Sequence, residues 1–65
     1  MEYKEIKAGT KLSDGEGFGE VCAVGDSGIL IWWNNDGRPP SWYPQIVFME
    51  FADRFGFEII GERND

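Results

Sequence analysis

The sequence contains no histidine and a single cysteine, Cys22. Without an imidazole there is no Ser-His-Asp or Cys-His catalytic arrangement and no histidine-ligated metal. One thiol forms neither an internal disulfide nor a cysteine-rich zinc site, and we expect Cys22 to be a buried apolar thiol. Small secreted domains usually rely on disulfides, so the expected location is a reducing cytoplasm. We predict no catalytic residue, no cofactor and no metal ligand, and a protein that is not an enzyme.

Basic residues are also scarce, since 6 lysines and arginines face 12 acidic residues and the net charge is −6. The bases are scattered among the acids, which disfavours direct binding to nucleic-acid phosphates, because that contact requires clustered Lys and Arg. An anionic membrane is disfavoured for the same reason. The charge permits a protein or peptide partner with a basic surface. The competing interpretation is that it only keeps an aromatic-rich domain soluble.

Long apolar runs are absent, and none approaches the ~18 residues of a membrane span. The first residues are charged and no apolar segment follows them, so we expect no signal peptide. A chain of 65 residues allows one domain, which we place over residues 1–65. A hydrophobic content of 42% is too high for a disordered acidic tail. The sequence therefore predicts one small folded domain.

Glycines and prolines interrupt the chain at short intervals, which favours several short strands over long helices. The turn signals are richest near residues 13–19, 26–28 and 34–37. Residues 61–65 are expected to form a frayed tail. We predict an extended stretch at Tyr3–Leu12 that is broken near Ala8 and Gly9. We also predict strands at Glu20–Val24, Ile29–Trp33, Ser41–Tyr43 and Phe57–Ile60.

The segment of residues 45–55 permits two interpretations. Phenylalanine recurs at helical spacing from Phe48 to Phe55, and Gly56 suits the position just past a helix end. These features predict a short helix or helical turn near residues 45–55. The competing interpretation is a buried strand over residues 46–49.

Side-chain alternation divides the aromatic strand at residues 29–33 between two faces. Ile29, Ile31 and Trp33 share one face, and Leu30 and Trp32 share the other. Only one face of such a strand points into a small core. We expect the first set inside, and Leu30 and Trp32 outside or beneath the phenylalanine-rich segment.

Three features combine in the first two thirds of the chain. A glycine-rich turn precedes Gly19–Val24, a tight turn leads to Ile29–Trp33, and an Asn/Asp-Gly turn leads to Ser41–Pro44. Over about residues 10–44 this arrangement resembles SH3-like small β-barrels, in particular the Tudor, KOW and Mib-Herc2-like branch. There a Gly-x-Val-x-x-Val strand pairs with an Ile-x-Ile-x-Trp strand. The sequence departs from these families after Pro44, where about ten phenylalanine-rich residues precede the last strand.

The resemblance implies a mainly β fold, a small SH3-like barrel of about five short antiparallel strands with one short helix or helical turn. Physical reasoning agrees, because five short strands that close on themselves remove their exposed edges. Tudor-like domains use aromatic side chains to hold a methylated cation, and SH3-like domains use an aromatic groove for a proline-rich strand. The resemblance therefore implies a non-enzymatic interaction module.

We predict partner-binding residues on two neighbouring strands and on the loop that joins them. Acids such as Asp14 and Glu16 are candidates to flank this aromatic surface. The competing interpretation is that most of these aromatic side chains belong to the core. The predicted partner-binding residues are Trp32, Trp42, Tyr43, Asp36 and Arg38.

The predicted function is thus to bind a basic peptide or protein surface through an aromatic face flanked by acids. One alternative is a small acidic phage or mobile-element inhibitor that mimics nucleic acid to block a host protein. Acids spaced along one face would favour that alternative. Another is a structural subunit that buries its aromatic face in a homo-oligomer, which a concentration-dependent mass would favour.

Overall fold

The computed structural model of the chain describes residues 2–34 and 37–62, which form five strands and two helical segments. A short 3-10 helix at Tyr3–Glu5 precedes the sheet. One α-helix, α1 (Gln45–Phe55), connects the last two strands. The strands are β1 (Thr10–Ser13), β2 (Phe18–Val24), β3 (Gly28–Trp33), β4 (Ser41–Pro44) and β5 (Glu58–Glu62).

The five strands form one antiparallel sheet in the order β4-β3-β2-β1-β5. Consecutive strands from β1 to β4 pair with their chain neighbours, whereas β5 returns across the molecule to pair with β1. The mainly β prediction, with five short antiparallel strands and one short helix, is confirmed.

The predicted extended stretch at Tyr3–Leu12 is wrong over its first half, whereas the predicted break near Ala8 and Gly9 is present as a turn. The chain there forms the 3-10 helix and then a turn, in which the Thr10 amide donates to the Lys7 carbonyl at 3.0 Å. The Lys7 amide donates in return to the Thr10 hydroxyl at 3.1 Å. Gly9 allows this turn because its φ is 94°, in the left-handed region that most side chains avoid. Extended backbone therefore begins only at Thr10.

The end of the chain also differs from the expectation. The last strand begins at Glu58 and continues to Glu62, so part of the expected frayed tail belongs to the sheet. Glu62 pairs with Thr10, and its carboxylate lies 3.3 Å from the Lys7 ammonium. Residues 63–65 lie outside the described part of the chain.

Helix α1 confirms the helical interpretation of residues 45–55 and excludes the strand over 46–49. Phe48 and Ala52, one turn apart, are its buried residues and face the sheet. The helix ends at Gly56, whose φ of 67° stops the helical path. The Phe57 amide then donates to the Ala52 carbonyl at 2.9 Å, which closes the helix end.

The core lies between α1 and the inner face of the sheet. Ile29 and Ile31 are fully buried there, as the alternation predicted, and Phe48 of α1 is 1% exposed. Trp33 is half-buried and packs against the same core, whereas Trp32 on the opposite face is 39% exposed. We call the uncovered opposite side of the sheet the outer face.

The expectation of a buried Cys22 is wrong, because strand alternation after the buried Val21 places its thiol on the outer face, at a β-bulge. Val21 pairs with Ile31, yet Ala23 pairs with Leu30, so Cys22 has no register partner on β3. A bulge of this kind inserts one residue into a strand and bends it. Cys22 is exposed on that face.

Two glycines provide the space in which two tryptophan rings lie against the sheet. A Cβ at Gly19 would stand 2.6 Å from a ring carbon of Trp33, on the inner face. A Cβ at Gly28 would stand 2.5 Å from a ring carbon of Trp42, on the outer face, and would also strike the Tyr43 carbonyl oxygen. Each ring therefore occupies the place of a missing side chain.

Replacing Gly28→Ala is expected to lower the free energy of unfolding by about 1–3 kcal/mol, the usual range for overpacking. The added methyl would press on backbone as well as on an indole, and the backbone yields only if β4 shifts. Gly25→Ala is the matched control, because a Cβ there meets nothing within 4 Å. Urea denaturation of the two variants tests this, and equal midpoints would contradict the packing described.

Candidate functional site

An open pocket lies where β3, β4, α1 and the loop between β1 and β2 meet, and its volume is about 430 Å³. This volume lies within the roughly 300–1,000 Å³ range of small-molecule and cofactor sites. Two acids, Asp14 and Glu16, line it from the loop. Its other lining side chains are aromatic: Trp33, Tyr43, Phe51, Phe55 and Phe57.

The five aromatic side chains contact one another in a closed sequence. The ring of Trp33 lies 5.5 Å from that of Phe57, which lies 6.2 Å from Phe55 in a nearly parallel arrangement. The ring centroids of Phe55 and Phe51 are 5.9 Å apart. Those of Phe51 and Tyr43 are also 5.9 Å apart, and these two rings meet edge-on. The Trp33 Nε1–H donates to the Tyr43 hydroxyl at 3.1 Å and completes the sequence. These spacings fall in the range of favourable aromatic pairs. We call this set the aromatic ring cluster.

Three separate segments supply the aromatic ring cluster. Trp33 and Tyr43 come from the inner sides of β3 and β4, whose register pairs Tyr43 with the buried Ile29. Phe51 and Phe55 lie one helical turn apart on α1. The remaining member, Phe57, follows the turn that ends the helix and also meets Phe48 of the core at 5.9 Å.

The loop between β1 and β2 holds the two acids through an Asp14-centred turn. One Asp14 carboxylate oxygen accepts hydrogen bonds from the amides of Glu16 at 2.9 Å and Gly17 at 2.8 Å. Both hydrogen bonds stabilise the charged form of the carboxyl group, and the bond from Gly17 has the larger effect. They lower the pKa of Asp14 below its ordinary 3.8. Gly15, at a φ of 94°, permits the tight turn.

The pocket therefore combines carboxylates with aromatic faces. The lowered pKa of Asp14 keeps this carboxylate charged at neutral pH and into more acidic solution than an ordinary Asp, and the exposed Glu16 follows it in the same loop. The face of an aromatic ring carries partial negative charge and attracts cations. Both features favour a cationic group in the pocket. Within residues 2–34 and 37–62, no cluster of three or more His, Cys, Asp or Glu side chains is arranged to hold a metal ion.

The structure separates the predicted partner-binding residues. Tyr43 lies in the pocket, whereas Trp32 and Trp42 lie on the outer face with exposures of 39% and 56%. The cause is strand alternation, since Tyr43 pairs with the buried Ile29 and Trp42 pairs with Leu30 on the other side. The loop residue Arg38 is exposed, and Asp36 lies outside the described residues.

Sequence reasoning missed most of the aromatic lining of the pocket. The phenylalanines of α1 were used only to predict a helix, and Trp33 was expected in the core. The available signal was the one-turn spacing of Phe51 and Phe55 together with Phe57 just beyond Gly56, which places three rings at one helix end. Their meeting with the Asp14 loop depends on tertiary packing that no local pattern encodes.

Comparisons with protein-family models, with curated proteins and with solved structures give no match. The resemblance to SH3-like barrels stays a prediction. In the part of the chain that the structure describes, no helix has the length and apolar character to cross a membrane. The function is therefore argued from the geometry of the pocket.

Protonation of Asp14 is expected to release the loop between β1 and β2. Its lowered pKa means that the carboxylate stabilises the fold above the unfolded-state pKa of about 3.9, and that this contribution is lost as the pH falls through the folded-state pKa. The amide resonances of Glu16 and Gly17 should titrate together with a midpoint below 3.8, the ordinary value.

The Asp14→Asn variant is the control for this titration. Its side-chain oxygen still accepts the two amide hydrogen bonds, yet it carries no titrating proton. The low-pH shift of both amides should disappear in this variant. A wild-type midpoint at or above the ordinary Asp value would contradict the turn described.

Proposed function

We propose that this protein is a non-enzymatic interaction module that binds a basic peptide or basic protein surface in the aromatic pocket. One observation carries the proposal: Asp14 and Glu16 line the same pocket as five aromatic side chains. A cationic side chain of the partner enters the pocket, with its charge toward the carboxylates and its aliphatic stem against the rings.

The exposure of the rings supports this role. Phe55 is 54% exposed, whereas Phe48, three residues before Phe51 on the same helix, is 1% exposed. When a ligand covers apolar ring surface that was in contact with water, the burial of that surface favours binding. A cation over such rings contributes ~0.5–2 kcal/mol, the larger value when it is desolvated. The pocket thus offers contact area and a preference for positive charge.

The net charge of −6 supports the same partner. A chain with 12 acids and 6 bases attracts cationic ligands from a distance and raises their rate of encounter. The attraction is screened over about 8 Å at physiological ionic strength, so binding weakens as salt is added. We place this activity in a reducing cytoplasm, where a small domain folds without disulfides.

The proposal keeps the predicted chemistry and changes the residues that perform it. An aromatic surface flanked by acids was predicted around Trp32, Trp42 and Tyr43, and we propose it instead around Tyr43 and Phe55, which line the pocket. The nucleic-acid mimic stays an alternative prediction, and no observation on the described residues supports it.

Binding is tested by calorimetric titration with a ten-residue peptide that alternates Arg or Lys with Gly or Ser. A second peptide, with each cation replaced by glutamine, reports the contribution of charge. We expect the cationic peptide alone to bind, and more weakly as salt is raised. The variants Phe55→Ala and Glu16→Gln should each weaken binding by about 2- to 30-fold, the ratio that corresponds to one cation–π or charge contact.

Two control variants separate the pocket from the rest of the surface. Ile46→Ala removes an apolar side chain that is 71% exposed on the same helix as Phe55. Glu50→Gln removes one helical charge outside this pocket. Both should bind the cationic peptide as the wild type does. Equal losses in controls and pocket variants, or no binding of the cationic peptide, would contradict the proposed function.

A further inference from the structure

The end of helix α1 adds hydrogen-bond acceptors beside the pocket. Phe55, the last helical residue, and Phe57, two residues later, both line the pocket. The amides of Gly56 and Phe57 both donate to the Ala52 carbonyl. The last three carbonyl groups of the helix, at residues 53–55, therefore have no helical amide partner and project beyond its end. They place partial negative charge beside the pocket.

The loop between β1 and β2 supplies acceptors from a separate segment. The amides of Glu16 and Gly17 use one carboxylate oxygen of Asp14, and its second oxygen takes no part in those bonds. The carboxylate of Glu16 lies on an exposed residue. In the part of the chain that the structure describes, neither Asp14 nor Glu16 forms an ion pair with a base. Both carboxylates are therefore open to a cationic ligand.

The aromatic rings of the pocket offer a surface on which a flat group can stack. The rings of Phe55 and Phe57 lie nearly parallel, with 23° between their planes and centroids 6.2 Å apart. Phe55 is 54% exposed, so much of its surface is open to a ligand. A flat cation that stacks on a ring keeps the edge of its own plane free for hydrogen bonds, whereas a compact ammonium group has no such face.

We infer that the pocket selects arginine over lysine, an inference that rests on the proposed function and names the side chain that enters the pocket. A guanidinium group carries several N–H donors in a planar fork, and its faces stack on aromatic rings. Donors along its edge can serve the loop carboxylates and the helix end together, while a ring of the aromatic ring cluster covers its face.

Lysine satisfies the same groups less completely. Its ammonium group is a compact, strongly hydrated charge, so it loses more hydration on entering an aromatic pocket. It also has fewer N–H donors than a guanidinium group, and all of them belong to one atom. A lysine that donates to Asp14 and Glu16 leaves the carbonyl groups at the end of α1 without a donor from the ligand.

The net charge of the chain does not distinguish the two side chains. A charge of −6 attracts arginine and lysine peptides alike, because both carry one positive charge per residue. Selectivity therefore arises only at contact distance, within the pocket. Two peptides of equal charge isolate it.

Calorimetric titration with two ten-residue peptides of equal charge and spacing tests the inference. One peptide alternates Arg with Gly or Ser, and the other has Lys at the same positions. We expect the arginine peptide to bind at least about fivefold more tightly, a ratio that one additional hydrogen bond to a charged group supports. The amide resonances of Glu16, Gly17, Phe55 and Phe57 should shift on binding and locate the peptide in the pocket.

The Phe55→Leu variant tests the stacking. Leucine keeps an apolar side chain at this position but has no aromatic face. The arginine peptide should therefore lose more affinity than the lysine peptide, and the ratio should fall toward one. Ile46→Ala is the matched control on the same helix, at a side chain that is 71% exposed, and it should leave the ratio unchanged. Thermal melting of each variant establishes that it is folded.

The outcomes separate this inference from the proposed function. Equal affinities of the two peptides, or tighter binding of the lysine peptide, would overturn the selectivity and leave the proposed function standing. A preference for arginine that is unchanged in Phe55→Leu, or that Ile46→Ala also abolishes, would overturn the role of the ring face. If neither peptide binds, the proposed function is contradicted and the inference falls with it.

Discussion

The burial of Ile29 and Ile31 beneath Phe48 is the constraint on which the rest of the structure depends. These two β3 side chains are fully buried. Burying one such side chain contributes roughly 1.5–3 kcal/mol, so exposing both would consume much of the ~5–15 kcal/mol stability of a whole domain. A slip of one residue would expose both, because it moves every side chain of a strand to the other face. The register is fixed for that reason. It places Trp33 toward the helix and Trp32 away from it.

Helix α1 contributes to the core and to the pocket at once. Its buried stripe, Phe48 and Ala52, covers the sheet, and its neighbouring stripe, Phe51 and Phe55, reaches the space beside β4. A chain of 65 residues has little interior to spare for a separate site. The pocket is accordingly built from side chains at the margin of the core. Its rings are positioned by the same packing that stabilises the fold, so a pocket of this kind requires few additional residues.

Local patterns predicted most of the elements. Turn residues and alternating side chains located β2, β3 and β4 within two residues, and phenylalanine spacing with Gly56 located α1. The bulge at Cys22 was not predictable from these patterns, because an extra residue in a strand changes pairing without changing composition. The pocket was not predictable either. It joins segments that are separated by up to about forty residues, and the sequence specifies that meeting only through the complete fold.

The two carboxylates of the pocket have different tasks, and the difference follows from their hydrogen bonds. One carboxylate oxygen of Asp14 accepts hydrogen bonds from the amides of its own turn, and these bonds shape the loop and lower the pKa of the carboxyl group. Glu16 donates its amide to that turn, so the loop that Asp14 shapes also sets the backbone position of Glu16. The loop therefore positions the two carboxylates of the pocket, while the sheet and the helix position its aromatic rings. The loop and the rings thus meet only because the complete fold brings residues 14–16 beside the end of α1.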